Sequence, residues 1–464
     1  MEFGNSSSHP DLVTYGFPMA YSFWDGNQSR MRRLIFLLIV GAVGVAGCNS
    51  DSAESLEGLG GRVASARNEQ AGQKPAGQAQ APRKKIDTAT SVPRPATKTD
   101  KTSRVTLLRV PDGGIQPQVA VDRQGLVHLI YFRGKPAAGD LFYVRSEDGG
   151  RGFSKPLRVN SQAASAVATG TVRGAHLAIG SNGRVHVAWN GSRRAEPRGP
   201  SKSSPMLYTR MNDKHTGFEP QRNVARFTVG LDGGGSVCAD GGGRVYVAWH
   251  GLAPGNKGEG NGRVWVARST DEGKTFDREQ SAFARPTGAC GCCGMSALAD
   301  HRGQVHLLYR SAEKRVNRDT YLLVSKNRGA TFQGYQLHQW NVAICPLSSF
   351  ALAESPRGVL AAWETNGQVY FTPIDSAGGE RLEPVAAPGP AKLRKHPAIA
   401  GNAQGDVILA WTEGMSWNRS GSLAWQVFDP SGKPTAAKGW SGGVPTWSLV
   451  AVFPRPEGGF TIVY

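Results

Sequence analysis

The chain has 464 residues and a formal charge of +18, from 54 Lys and Arg against 36 Asp and Glu. Helical periodicity is essentially absent, which excludes a helical bundle. No basic helix or recognised binding module accompanies the positive charge, which argues against nucleic acid; anionic glycans and lipid headgroups suit such a charge, and an ordinary basic surface is the competing reading.

Residues 1–30 carry no targeting logic, and Met31 is the expected start of the natural product. Residues 31–48 read MRRLIFLLIVGAVGVAGC: a charged segment, an apolar run from Leu34 to Val45, then small residues before a cysteine. The run is too short to span a bilayer and fits a cleaved signal peptide. Its ending resembles a bacterial lipoprotein signal, which implies cleavage before Cys48 and lipidation of its thiol. Asn49 and Ser50, rather than Asp, follow it, and by the same resemblance this favours the outer membrane. Residues 49–103 are rich in Ala, Gly, Pro, Gln, Ser, Thr and Lys. A segment this poor in large apolar residues does not offset its ordering entropy and reads as a disordered tether.

Residues 104–464 are long enough for a large core, and their organisation is a repeat. An apolar strand, a polar turn with Gly and a second strand ending in an aromatic recur as PQVAVDRQGLVHLIY at 117–131, AHLAIGSNGRVHVAW at 175–189, SVCADGGGRVYVAW at 236–249 and SALADHRGQVHLLY at 296–309. Weaker copies follow at 350–363, 397–411 and 450–464. The turn glycines, Gly125, Gly183, Gly243, Gly303, Gly358, Gly405 and Gly459, are 58, 60, 60, 55, 47 and 54 residues apart. Further strand-like runs such as DLFYVRS and RVWVARS lie between copies, giving about four strands per unit. Four-stranded units at this period predict the blades of an all-β propeller. A β-sandwich explains the strands but not seven copies of one unit.

A second pattern, Ser-x-Asp-x-Gly-x-x-Phe, follows the third strand of three units. It comprises Ser146, Asp148, Gly150 and Phe153; Ser269, Asp271, Gly273 and Phe276; and Ser325, Asn327, Gly329 and Phe332, with Asn in place of Asp in the last. Asp and Ser side chains cap such a turn, and Gly accepts its positive φ. This closely resembles the Asp-box, or BNR repeat, of sialidase-like propellers. In that family the box is structural and lies away from the active face. The resemblance implies six blades with a C-terminal extension. Seven result if RVTLLRV at 104–110 completes the last unit.

Sialidases clamp the substrate carboxylate with three arginines, use a Tyr nucleophile assisted by Glu, and an Asp as acid/base. The first arginine lies in a Phe/Tyr-Arg-Ile-Pro motif opening the first inner strand. Here that strand opens GIQPQVAV, with Gln116 at the arginine's place. Arg173, Arg310 and Arg394 lie next to inner-strand ends in three units and are ligand-binding candidates, with His396 beside them. Asp232, Glu364, Glu413 and Tyr370 are the available catalytic candidates for an exo-α-sialidase-like glycoside hydrolase. For each, an ordinary place on a propeller rim is the competing reading.

Five cysteines remain in the folded region: Cys238, Cys290, Cys292, Cys293 and Cys345. Strand entrances converge around one end of a propeller channel, so these thiols are expected to be neighbours. In an oxidising compartment a disulfide from Cys345 to the CxCC stretch is the ordinary expectation. A Cu or Zn thiolate site, with His396 as a possible addition, and a redox-active Cys292–Cys293 pair are the alternatives. The combined expectation is a lipid-anchored propeller whose axial face binds an anionic ligand such as a glycan. The alternatives are an active hydrolase and a metal or redox protein. Nothing in the sequence sets an oligomeric state.

Overall fold

The computed structural model describes residues 104–314, 316–374 and 383–464, so the signal segment, Cys48 and the tether lie outside the described residues. Seven sheets make up the described residues, six antiparallel ones of four consecutive strands and a mixed one of three. Their inner strands are Ile115–Val121, His176–Ile179, Gly235–Ala239, Ser296–Ala299, Phe350–Ser355, Arg394–Gly401 and Ala451–Pro454. Each contacts the next, and the last contacts the first, so the sheets form a closed ring of seven blades. No helix among the described residues is long and apolar enough to cross a membrane.

The repeat dictates this layout residue by residue. The second strand of each blade carries a near-continuous apolar run that is buried over most of its length, and in VHVAWN at Val185–Asn190 and VHLLYR at Val305–Arg310 over all of it. A strand covered on both faces has this pattern, because a neighbouring blade packs on each side. Seven apolar cores result, one at each junction between blades. Trp189, Trp249 and Trp363, the closing aromatics of blades 2, 3 and 5, are among the largest fully buried side chains. The seven turn glycines all take positive φ, from 68° to 109°, where a β-carbon is unfavourable.

The ring closes where sequence alone left the count open. Val105–Leu108 pairs in parallel with Phe460–Val463, register Val105 to Phe460 and Leu108 to Val463. The chain's first strand thereby becomes the outer strand of blade 7, and seven blades replace the six implied by the sialidase resemblance. An Arg104–Asp406 ion pair of 3.0 Å ties this strand to blade 6.

All three Asp-boxes form the expected turn. Ser146, Ser269 and Ser325 accept from the amides of Gly150, Gly273 and Gly329, each at 2.8 Å. The carboxamide of Asn327 takes the capping role of its aspartate counterparts, accepting from Thr331 N at 2.9 Å. These turns join third to fourth strands. They share the end of the ring that carries the inner hairpin turns, opposite the entrances of the inner strands.

Candidate functional site at the axial mouth

The inner-strand entrances carry the candidate residues, and their backbone is unusual. Gln116 and His396 sit in β-bulges of blades 1 and 6, each preceding a proline. Both take left-handed φ, 55° and 49°, as do Thr171, Leu347 and Trp447 at other entrances. Bulges and left-handed non-glycine residues re-aim side chains at sites where the surroundings hold them.

Gln116 does not face solvent as the clamp arginine of a sialidase must. Its Nε2 donates to Ala168 O at 2.7 Å and to Trp447 O at 2.8 Å, and its backbone amide donates to Ser448 Oγ at 3.1 Å. It fastens blade 1 to its neighbours on both sides.

The three candidate arginines do not converge. Arg310 is fully buried, donating to Ser348 Oγ at 3.0 Å and to the carbonyls of Arg318 and Glu364. Arg394 donates to Glu413 Oε1 at 3.2 Å, Gln368 Oε1 at 2.9 Å and the carbonyls of Ala387 and Pro388. Arg173 pairs with Asp232 Oδ1 at 2.5 Å and lies 5.7 Å from the Trp417 ring. Each guanidinium is committed to the fold.

The carboxylates are similarly placed. Glu413 accepts from Arg394 and from Trp411 Nε1 at 2.9 Å. Glu364 is buried beside Gly367 N, and burial pushes its carboxyl up despite the nearby Arg310 and Lys395. Asp232 is half exposed and paired with Arg173. Tyr370 lies on the third strand of blade 5, its ring 4.7 Å from that of His338 and stacked on Trp363, within the core between blades 4 and 5. His396 is buried with Nδ1 3.1 Å from Ser349 Oγ, and burial, helped by Lys395, lowers it to about 3.

Two cavities mark the mouth. One of about 120 Å³ runs along the axis between inner strands and includes Gln116, His176 and His396. The other, about 210 Å³, opens between the loops before blades 2, 5 and 6. Its lining includes Lys395, Arg419, Trp417, Cys345, Leu347 and His396, and no carboxylate. Trp417, 40% exposed, stands in the loop GMSWNRS. An exposed aromatic in a polar loop was the available sequence signal, and sequence reasoning missed it together with Lys395 and Arg419.

The cysteines divide. Cys290, Cys292 and Cys293 form a buried group whose sulfurs all lie within 4.8 Å of one another. The Cys290 thiol donates to the Cys293 sulfur at 3.1 Å, and Cys290 and Cys292 are 3.4 Å apart. These separations exceed the S–S bond of about 2.05 Å, and all five cysteines are thiols, so the expected disulfide is not formed. Cys345 contacts Cys292 and packs on the group from the cavity side. Cys238 is not a member. It sits on the inner strand of blade 3 among Tyr246, Ala248 and Met295, and burial pushes its thiol far up. Burial also opposes charge at Cys293, but bonds from Cys290 and Cys292 and the Arg310 guanidinium outweigh it and hold that thiol well below the ordinary range.

The described residues therefore form a seven-bladed β-propeller with three Asp-box turns. No family model matches it, and no curated protein matches it in sequence. Among solved structures it is similar to an α-L-arabinanase of Penicillium chrysogenum bound to arabinobiose, at 15% identity and TM-score 0.46 over 70% of this chain and 95% of that one. It is also similar to an α-L-arabinofuranosidase of Fusarium graminearum, at 11% identity and TM-score 0.42 over 71% and 93%. A third is the Trypanosoma rangeli sialidase, at 12% identity and TM-score 0.45 over 68% and 56%.

Proposed function

We propose that this is an exported, lipid-anchored propeller that binds an anionic ligand, an acidic saccharide foremost, at its axial mouth without hydrolysing it. The observation that carries the reading is the 210 Å³ cavity, whose lining includes the Trp417 ring, Lys395 held by the Pro346 carbonyl and Arg419 held by the Gly414 carbonyl, each with further N–H donors, and no carboxylate. Aromatic faces suit the apolar side of a sugar ring, and fixed cations suit its acid group. A hydrolase acting through two carboxylates needs them about 5–5.5 Å apart for retention, or further for inversion. Here Glu413 and Asp232 are engaged by arginines, and Glu364 is buried at a turn. The lipobox ending in Cys48 supports the anchor.

The test is a glycan array followed by calorimetry on the full chain, using sialylated, uronate-bearing and sulfated saccharides. Binding that weakens at least about tenfold in Lys395→Ala and in Trp417→Ala, or about 1.4 kcal/mol each, supports the reading. Failure to bind any acidic saccharide overturns it. Release of free sugar in the same incubations turns the protein into a hydrolase instead. For the anchor, Cys48→Ala is expected to move the chain from the membrane fraction to the soluble one.

A further inference from the structure

We propose that Cys290, Cys292 and Cys293 form a thiolate centre for one soft metal ion, Cu(I) or Zn(II), with Cys345 as the ligand at its open side. This reading is independent of the saccharide proposal, and the two share only the cavity that Cys345 lines.

The distances fit a metal sphere. Zinc bound by tetrahedral thiolates has Zn–S of about 2.3 Å, which sets sulfurs about 3.8 Å apart. The Cys290–Cys293 and Cys290–Cys292 separations, 3.1 Å and 3.4 Å, fall just short of that value, so the sulfurs need to spread by only a few tenths of an ångström to take up an ion. Soft thiolates select Cu(I) and Zn over harder ions.

The loop holding the sulfurs is clamped from several sides. Cys290 N donates to Arg310 O at 2.9 Å and Gly294 N to Ser348 O at 2.9 Å. Gly291 N donates to Glu259 Oε1 at 3.0 Å, and the other oxygen of Glu259 binds Arg318 at 2.7 Å. A β-carbon on Gly233 would come within 2.3 Å of Cys293 O and 2.5 Å of Gly291 O, so the facing Gly-rich loop leaves room only for the cysteine loop's backbone. Ligands are thus held before any ion arrives. The buried guanidiniums of Arg310 and Arg318 stand beside the sulfurs and supply countercharge for a multiply thiolate-ligated ion. The cavity gives an entry path ending at Cys345. On binding, each ligating thiol releases its proton to solvent and forms a sulfur–metal bond, with no change in the metal's oxidation state.

The test uses the full chain, exported, detergent-extracted and kept reduced, titrated with a Cu(I) complex and separately with Zn(II), with metal content read by mass spectrometry. The expected result is one equivalent of at least one ion per chain, unchanged in Cys238→Ala and lost in the double variant C292S/C293S. Cys345→Ser is expected to bind about tenfold more weakly. X-ray absorption of the loaded wild type should show an all-sulfur ligand set, which keeps the test decisive if the double variant does not fold. Binding below about a tenth of an equivalent for both ions overturns the proposal, as does an exported chain in which non-reducing peptide mapping finds Cys292 or Cys293 in a disulfide.

Discussion

The side-chain amide of Gln116 in blade 1 donates to the carbonyl of Trp447, at the entrance of blade 7, at 2.8 Å. In the sialidase pattern an arginine in this place faces substrate. Here the residue is part of the ring's fastening, and a second bond to Ala168 makes the link two-sided. Gln116→Ala removes both bonds, leaving the Trp447 carbonyl without this donor and the Ala168 carbonyl with only a 3.3 Å bond from Thr171 N; together such losses cost about 1–3 kcal/mol. A drop of about 2 kcal/mol or more in unfolding free energy is expected from denaturant titration. Because φ at Gln116 is 55°, Gln116→Gly loses the same bonds but relieves roughly 1 kcal/mol of left-handed strain. The glycine variant should therefore be the more stable of the two. The reverse order would remove backbone strain from the account.

The strand Val105–Leu108 completes blade 7 from the other end of the folded region. Truncation through residue 108 leaves Phe460–Val463 as an open edge, and open edges recruit other chains. The truncated chain is expected to melt earlier and to associate, seen by thermal unfolding and size-exclusion chromatography. Leu107→Ala, a partly buried side chain against the core between blades 6 and 7, is a milder case and should cost about 1–2 kcal/mol. A monomeric truncation with unchanged melting would mean that the closing strand contributes nothing.

The Asp-boxes predict a pH dependence with a defined sign. Burial opposes the charge on Asp271, but bonds from Thr275, Ser269 and Lys274 outweigh it and bring its carboxyl to about 2. An unfolded-state Asp titrates near 3.9. A carboxyl depressed in the folded state adds stability above the unfolded value and loses it as pH falls through the folded one. The box's contribution should therefore fade between about pH 4 and about pH 2. Asp271→Asn, which imitates the natural Asn327 box, should flatten the stability profile in that window with little change at neutral pH. An unaltered acid limb in denaturant midpoints would place the dependence on other groups.

Architecture was legible because the blade repeat is local. The turn glycine, the continuous second strand and the closing aromatic all lie within one hairpin. Blade number was not, because the closing strand at 105–108 pairs across about 350 residues and its four residues carry no repeat signal. That Arg173, Arg310 and Arg394 lie next to strand ends in three blades was readable. Their commitments were not, since the partners Asp232, Ser348 and Glu413 come from other blades or from strand ends whose directions only packing sets. Cys238 was grouped with the other thiols on the convergence of strand entrances, yet it lies within the inner strand and packs in the core between blades 3 and 4.

That division of the cysteines has its own test. Cys345 is partly exposed while Cys238, Cys290, Cys292 and Cys293 are buried. Pulsed alkylation of the reduced, metal-stripped native chain should label Cys345 first, the CxCC group later and Cys238 last, as peptide mass spectrometry would show. Early labelling of Cys238 would mean that the junction between blades 3 and 4 opens readily.

The Arg173–Asp232 pair beside Trp417 gives the strictest test of the anionic-ligand reading. The carboxylate neutralises the one candidate arginine that retains exposure at the mouth, with side-chain exposures of 18% for Arg173 and 49% for Asp232. Asp232→Asn keeps the shape and removes the competing charge. At an effective dielectric near 20, a charge a few ångströms from a ligand is felt by kcal-scale amounts, reduced by salt. An acidic saccharide should therefore bind roughly 3- to 10-fold more tightly to this variant, and the gain should shrink as ionic strength rises. Neutral sugars should show no gain. Weaker binding of the acidic ligand would mean that Asp232 itself contacts it, and the carboxylate would then return as a candidate for catalysis.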